Sequence, residues 1–280
     1  MAVIVNNLQK VIIDGVKFNT VKFDTINFGS LGYVVQTSPN YEFAETEVEN
    51  TRIPGRNGDI VHFTGAYLNS SRTYVFIKKL SDTEDFRDHI EFYNAASELV
   101  AKLKSIRGYK ILQDSFEPDV YRYAYVKEAG VVTNGLNQVM TIQVTFECKP
   151  QRFYCNSETY PAHINVDSDT YIINNITLFE LQPVIKIEKR TGKSTTTLLI
   201  DNDENNSITI NWDETHNYII IDYELMDCYG INNDNLNALV NYVSSFPKIP
   251  NGTHTLSIAK TTDEIADGKI DYIEPGWWTL

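Results

Sequence analysis

The residues best suited to bind a metal or transfer protons are the five histidines: His62, His89, His163, His216 and His254. A zinc site needs histidine or cysteine ligands at short, regular spacings, such as His-Glu-x-x-His on a helix. No two of these histidines have that spacing, and none pairs with the three cysteines at zinc-finger spacing. We therefore expect structural or exposed histidines and no metal site.

Acidic residues could support calcium binding or sugar hydrolysis. Residues 201–205 begin like a calcium-binding loop, but Asn206 occupies the position that needs Gly and Trp212 the position that needs Glu. Two suitably spaced carboxylates could hydrolyse a sugar, yet such pairs arise by chance among 37 acidic residues. The sequence also lacks a Gly-x-Ser-x-Gly elbow and a phosphate-binding glycine loop. The sequence therefore predicts no enzyme and no cofactor.

Aromatic side chains offer a further kind of site, because they can stack on sugar rings. Trp277 and Trp278 are adjacent near the end of the sequence, and 17 tyrosines accompany them. Neighbouring residues of a strand point to opposite faces, so we expect one of the two indoles in the core. Sugar stacking by Trp277 or Trp278 remains a hypothesis.

Composition limits the classes of partner. The net charge is −13, and phosphate binding needs a basic surface, so nucleic acid is not expected as a partner. No apolar run approaches the length of a membrane span, and residues 1–6 do not resemble a signal peptide. Three cysteines are too few for a disulfide scaffold, which fits synthesis in a cytoplasm.

The pattern of apolar residues predicts mainly β-structure with one long helix. Apolar residues at steps of three and four, including Tyr93, Leu99 and Leu103, predict a helix over residues 82–106 with a buried stripe. Ser81 and Glu84 have the spacing of a cap at its start, and Gly108 ends it. From residue 151 onward, short strand patterns alternate with turn signals, which is typical of a β-sandwich. A brief helical turn is expected within residues 234–243. Pro150 cannot donate to a strand ladder and is a plausible domain boundary.

Residues 51–67 form a charged loop between two strand patterns. Pro54-Gly55 suits a type II turn, and Asn57-Gly58 is favoured in hairpins. The loop reads Arg52-Ile53-Pro54-Gly55-Arg56-Asn57-Gly58-Asp59, and Gly65-Ala66-Tyr67 follow. An ordinary surface hairpin would explain the composition but not this particular order of residues.

That order resembles the phage distal tail (Dit) protein family, whose members carry Pro-Gly-Arg-x-Gly-Asp followed by Gly-Ala-Tyr. Further matches follow along the chain, and the resemblance covers most of it. They include Phe146-x-Cys148-x-Pro150, the stretch Asp222-Tyr223-Glu224-Leu225-Met226 ending at Tyr229, and Pro275-Gly276-Trp277-Trp278. The family pattern has Arg where Gly276 stands, so a polar contact made by that Arg is not expected here.

The resemblance implies a β-rich, ring-forming tail-hub domain at residues 1–150 and a galectin-like β-sandwich at residues 151–280. It implies a homohexameric ring in the virion tail tip or baseplate, made and assembled in the host cytoplasm. The implied partners are the tail-tube protein, the tail-associated lysin or fibre protein, and a receptor-binding protein. On this basis we expect Arg52, Arg56 and Asp59 at an interface with a neighbouring subunit or the tube; the alternative is that they cap their own loop.

Two other functions stay open at this point. The first is a carbohydrate-binding adhesin of the phage tail that uses the C-terminal sandwich. The second is an enzyme acting on cell-wall polymers, for which the sequence shows no catalytic residues.

Overall fold

The computed structural model describes residues 5–13, 15–36, 43–78, 89–134, 139–230, 232, 234–243, 246–260 and 266–280. The chain divides into two units, each with its own hydrophobic core. The helical unit comprises Asn7–Arg152 with Leu280, and the sandwich unit comprises Met1–Asn6 with Phe153–Thr279. Antiparallel strands dominate the described residues, so the fold class inferred from the sequence is confirmed.

The helical unit contains eleven strands and one α-helix among the described residues. They are β1 Val11–Ile13, β2 Val16–Phe18, β3 Val21–Phe23, β4 Ile26–Asn27, β5 Tyr33–Val35, β6 Thr46–Thr51, β7 Ile60–Tyr67, β8 Ser70–Lys78, α1 His89–Ser105, β9 Lys110–Asp114, β10 Val120–Asn134 and β11 Val139–Cys148. Gly29–Leu31 forms a 3₁₀ turn between β4 and β5.

The main sheet of the helical unit has the strand order β4-β3-β9-β10-β11-β8-β5. Helix α1 packs on it through Ala96, Leu99 and Leu103, which are buried with Phe76 and Phe146 of the sheet. Burial of each large side chain contributes roughly 1.5–3 kcal/mol, which fixes the helix on the sheet.

The predicted helix agrees with α1 at its C-terminal end, where Gly108 has φ +72°. The predicted start, with a cap at Ser81 and Glu84, lies outside the described residues. Tyr93, expected in the buried stripe, is 55% exposed. Its position in the apolar period therefore did not predict burial correctly.

The remaining strands begin at the boundary between the units. They are β12 Arg152–Tyr154, β13 Ile164–Ser168, β14 Thr170–Asn175, β15 Val184–Lys189, β16 Thr195–Ile200, β17 Asp203–Asn211, β18 Tyr218–Asp222, β19 Asp227–Tyr229, β20 Val240–Tyr242, β21 Gly252–Ile258, β22 Gly268–Glu274 and β23 Trp278–Thr279.

Two five-stranded antiparallel sheets form the sandwich unit, with the orders β13-β22-β15-β18-β19 and β14-β21-β16-β17-β20. Alternate residues of each sheet face one shared core, as the two-residue period of a strand requires. Ile187 and Ile219 of the first sheet and Leu198 and Ile208 of the second are fully buried in it.

The helical turn expected within residues 234–243 is mostly replaced by a strand. Only Asn237–Leu239 forms a 3₁₀ turn, and Val240–Tyr242 becomes β20. Pairing of Val240 with Ile210 buries the Val240 side chain at the sheet edge, which a solvated helical turn would not achieve.

Candidate functional site

Strands β6 and β7 form a two-stranded ribbon that pairs with no other described strand. We call residues 46–67 the arm, and nearly all of them are exposed. At its loop, the backbone N–H of Arg56 donates to the Ile53 carbonyl at 3.2 Å, and Gly55 has φ +82°. This geometry confirms the type II turn predicted at Pro54-Gly55.

The two faces of the arm differ in polarity. Val48 lies opposite Phe63, and Asn50 lies opposite Val61, so these side chains share one face. Glu49 and His62 pair on the other face. The apolar face is uncovered, since Val48, Val61 and Phe63 are 41%, 50% and 66% exposed.

Arg52, Arg56 and Asp59 lie in the exposed loop that joins the two strands of the arm. None of their side chains makes a hydrogen bond or ion pair with another residue among those described. The structure therefore gives no support to the alternative that they cap their own loop. A partner could reach all three side chains without unfolding the arm.

Trp277 and Trp278 are both buried, each with 7% of its surface exposed. Their Nε1 atoms donate to the carbonyls of Pro161 at 3.1 Å and Glu180 at 2.8 Å. Neither indole presents an open face to a sugar ring, which argues against stacking there. Gly276, with φ +62°, precedes them, and a Cβ atom at this position would collide with the Gln182 carbonyl. This close approach explains why the chain has glycine there.

A buried cluster of charges in the helical unit was not foreseen from the sequence. Glu117 pairs with Arg72 at 3.0 Å, Arg122 at 3.0 Å and Arg152 at 2.5 Å. Arg72 also pairs with Asp114 at 3.2 Å, and only 2% of its side chain is exposed. Burial opposes ionisation of Glu117, but Arg122, Arg72 and Arg152 nevertheless hold its pKa below the usual value.

One local signal could have indicated this cluster. Arg72 alternates with Tyr74 and Phe76 on the buried face of β8, so a two-residue period places a guanidinium in the core. A buried cation needs a counter-ion, but the sequence does not reveal that Asp114 and Glu117 supply it.

His216 joins two segments of the sandwich unit. Its Nδ1 atom lies 2.8 Å from Asp213 and its Nε2 atom 2.7 Å from Asp234. An ionised carboxylate only accepts hydrogen bonds, so both contacts form only when each ring nitrogen of His216 carries a proton. Hydrogen bonds that His216 donates to Asp213 and then to Asp234 accordingly raise the pKa of His216, and His216 lowers the pKa of Asp213 to about 2.

We call the contacts of His216 with Asp213 and Asp234 the clasp, and we expect the clasp to make the stability of the sandwich unit depend on pH. Because the pKa of His216 is raised, the protonated imidazole stabilises the folded state fully below pH 6.5, the ordinary pKa of histidine. This stabilisation is lost as the pH rises through the pKa of His216 in the folded protein. Because the pKa of Asp213 is lowered, its carboxylate also stabilises the folded state, and this stabilisation is lost as the pH falls toward about 2. The His216→Gln substitution should therefore lower the urea midpoint of the sandwich unit more at about pH 5 than at about pH 8.5.

The control is a protein that carries Asp213→Asn and Asp234→Asn, which removes both charged partners of His216. In that background, the His216→Gln substitution should lose its pH-dependent effect. An equal loss of stability at both pH values in the otherwise unchanged protein would contradict the assignment.

A groove lies beside the β18–β19 turn in the sandwich unit. It has a volume of about 400 Å³. Its lining consists of Met226, Cys228, Asn237, Val240, Asn241, Tyr242 and Phe246. Burial, followed by the charges of Asp227 and Asp222, raises the pKa of the Cys228 thiol to about 12. The lining thus mixes apolar side chains such as Val240 and Phe246 with the amides of Asn237 and Asn241. Asp227 and Asp222 place negative charge near Cys228.

Two kinds of feature are absent from the part of the chain that the structure describes. No helix there has the length and apolar character needed to cross a membrane. No group of three or more His, Cys, Asp or Glu residues there could hold a metal ion.

Comparison with known proteins shows a relationship of fold. No protein-family model matches the chain, and no curated protein matches it. Among solved structures, the chain is similar to the SPP1 Dit (gp 19.1) protein, described as a paradigm of the hub adsorption apparatus in phages that infect Gram-positive bacteria. The TM-score is 0.64 at 15% sequence identity, with 94% of this chain and 99% of the other covered. The Dit-like fold expected from the sequence is thus confirmed.

Proposed function

We propose that this chain is a structural protein of a phage tail, the hub that forms a homohexameric ring between the tail tube and the tail tip. The arm is the observation that carries the proposal. A two-stranded hairpin is marginally stable alone in water, and this one exposes Val48, Val61 and Phe63 on one face. Within a chain of Dit-like fold, a neighbouring subunit is the partner that best accounts for an apolar face of this kind.

Ring formation in this proposal belongs to the helical unit. A ring requires contacts in which one surface of a subunit meets a different surface of the next, repeated until the assembly closes. The arm supplies one such surface, with apolar side chains for burial. Arg52, Arg56 and Asp59 add charges that select the orientation of the partner, because charged contacts favour specificity.

The sandwich unit has a docking role in this proposal. It carries the receptor-binding protein, while the ring contacts the tail-tube protein on one side and the tail-associated lysin or fibre protein on the other. The protein is made and assembled in the host cytoplasm and ends in the virion tail tip or baseplate. The proposal assigns it no catalytic activity, no cofactor and no nucleic-acid or membrane partner.

The native mass of the purified protein, with negative-stain images, tests the ring directly. We expect six subunits around a central opening. The double substitution Arg52→Ala with Arg56→Ala should lower the fraction of protein in rings, because it removes both cations of the arm loop. Exposed Lys104 offers a control, since Lys104→Ala removes a surface cation from α1 and not from the loop. Intact rings and normal tails with the double variant would contradict the role of the two arginines.

The carbohydrate-binding alternative has no comparable support. Trp277 and Trp278 were its candidate stacking residues, and both rings are buried. We therefore do not propose sugar binding through these residues.

A further inference from the structure

The groove of the sandwich unit lies between a turn and a sheet edge. The β18–β19 turn presents Leu225 and Met226, which are 64% and 70% exposed. On the other side, Tyr242 and Val243 are 49% and 66% exposed. Met226 and Tyr242 line the groove, and Leu225 and Val243 are their exposed neighbours in the chain.

Strand β20 forms the edge of its sheet beside this groove. It pairs with β17 and is the last strand in the order β14-β21-β16-β17-β20. An edge strand has backbone N–H and C=O groups that can pair with an added strand. By contrast, β19 is covered, because its Cys228 N–H donates to Asn237 Oδ1 and its Cys228 carbonyl accepts from the Leu236 N–H.

The rim of the groove is acidic. Residues 222–227 include Asp222, Glu224 and Asp227 and no cationic residue. Asp222 lies directly opposite Asp227 on the neighbouring strand, and like charges so placed are unfavourable. Burial, with further contributions from Glu224 and Asp227, raises the pKa of Asp222. A ligand with positive charge would relieve this repulsion.

A buried hydroxyl adjoins the same region. Tyr223 is 7% exposed, and its hydroxyl has no hydrogen-bond partner among the described residues. Its ring packs edge-on against Phe246, which lines the groove, with 5.5 Å between the ring centroids. Phe246 therefore belongs both to the lining of the groove and to the aromatic packing behind it.

We propose that this groove binds an extended segment of another protein, which adds to the edge of β20. Its large apolar side chains enter the groove, and its flanking lysine or arginine residues contact Asp222, Glu224 and Asp227. Main-chain pairing at a sheet edge supplies affinity in such complexes, and the side-chain pockets supply specificity. The inference rests on the docking role proposed for the sandwich unit and not on the ring.

Binding of two synthetic peptides to the full chain tests this proposal. One peptide alternates Val or Leu with Lys, and the matched peptide has Glu in place of every Lys. Fluorescence anisotropy should show saturable binding of the basic peptide and at least about tenfold weaker binding of the acidic one. Equal affinities, or no saturable binding of the basic peptide, would overturn the proposal.

Substitutions locate the site on the protein. Met226 has φ +51°, a conformation that asparagine tolerates, so Met226→Asn removes the apolar side chain without backbone strain. Combined with Val243→Asp, it should weaken basic-peptide binding at least about tenfold. The control is Leu178→Asn, which alters a side chain that is 85% exposed in the loop following the opposite edge strand, β14. Unchanged binding by the double variant would refute the site.

Two further results separate this inference from the ring. The double substitution Glu224→Gln with Asp227→Asn should weaken binding of the basic peptide. It should also reduce the difference in affinity between the basic and the acidic peptide. Arm variants that do not form rings should bind the basic peptide normally. A failure of peptide binding in protein that still forms rings would therefore reject the groove alone.

Discussion

Replacing Glu117 by glutamine is expected to destabilise the helical unit by about 3–5 kcal/mol, because it leaves buried arginines without their shared counter-ion. The Glu117 carboxylate contacts three guanidinium groups, and Asp114 would then remain as the carboxylate partner of Arg72. Glutamine keeps the size of the side chain, so the loss would reflect charge and not a cavity. Thermal unfolding followed by near-UV circular dichroism should show a decrease of about 10 °C in the melting temperature.

Two comparisons make the interpretation of that loss specific. Glu98→Gln removes a carboxylate from an exposed ion pair with Lys102 on α1 and should change the melting temperature little, since solvent screens this pair. Adding Arg122→Met to Glu117→Gln should recover part of the stability, because it removes one of the uncompensated cations. A loss for Glu98→Gln as large as that for Glu117→Gln would contradict the buried-charge explanation.

Placing aspartate at Val61 and Phe63 together should abolish ring assembly while leaving the subunit folded. Both side chains lie on the apolar face of the arm and are at least half exposed. Large aromatic residues at the centre of an interface can contribute about 2 kcal/mol or more each. In a closed ring this loss recurs at every contact, so even a moderate effect on one contact should prevent closure.

Native mass and negative-stain images measure the loss of assembly, and the melting temperature measures the fold. The matched control is Glu49→Gln with His62→Gln, which alters the polar face of the same arm. The control should form rings, and both variants should melt near the temperature of the unaltered protein. Rings of normal mass from the aspartate variant would contradict a role for the apolar face in assembly.

Local features of this chain could be predicted from the sequence because they depend on a few neighbouring residues. Pro54-Gly55 predicts its turn, since proline fixes φ and glycine accepts the positive φ of +82° that is observed. The C-terminal part of α1 follows from the spacing of Leu99 and Leu103. The order of residues in the arm also indicated the Dit-like fold, although no single local interaction explains that resemblance.

Features that depend on distant contacts required the tertiary structure. The Glu117 cluster joins residues from Arg72 to Arg152, and no local period specifies such partners. Alternation of side chains along a strand predicted one buried indole, but both are buried. The alternation does not apply, because Trp277 lies before β23 and follows the left-handed backbone of Gly276. The groove likewise arises where a turn and an edge strand from separate sheets come together.

The β-rich class, the main helix and the charged turn of the arm could thus be predicted from local sequence, because backbone preferences and side-chain periods act over short distances. Which of those surfaces remain uncovered depends on how the sheets pack. Val61 and Phe63 have the same strand preference as buried residues of β8, but no second layer covers the arm within the described part of the chain. Burial is a property of what lies opposite a side chain, and in this chain that is set by the packing of whole sheets.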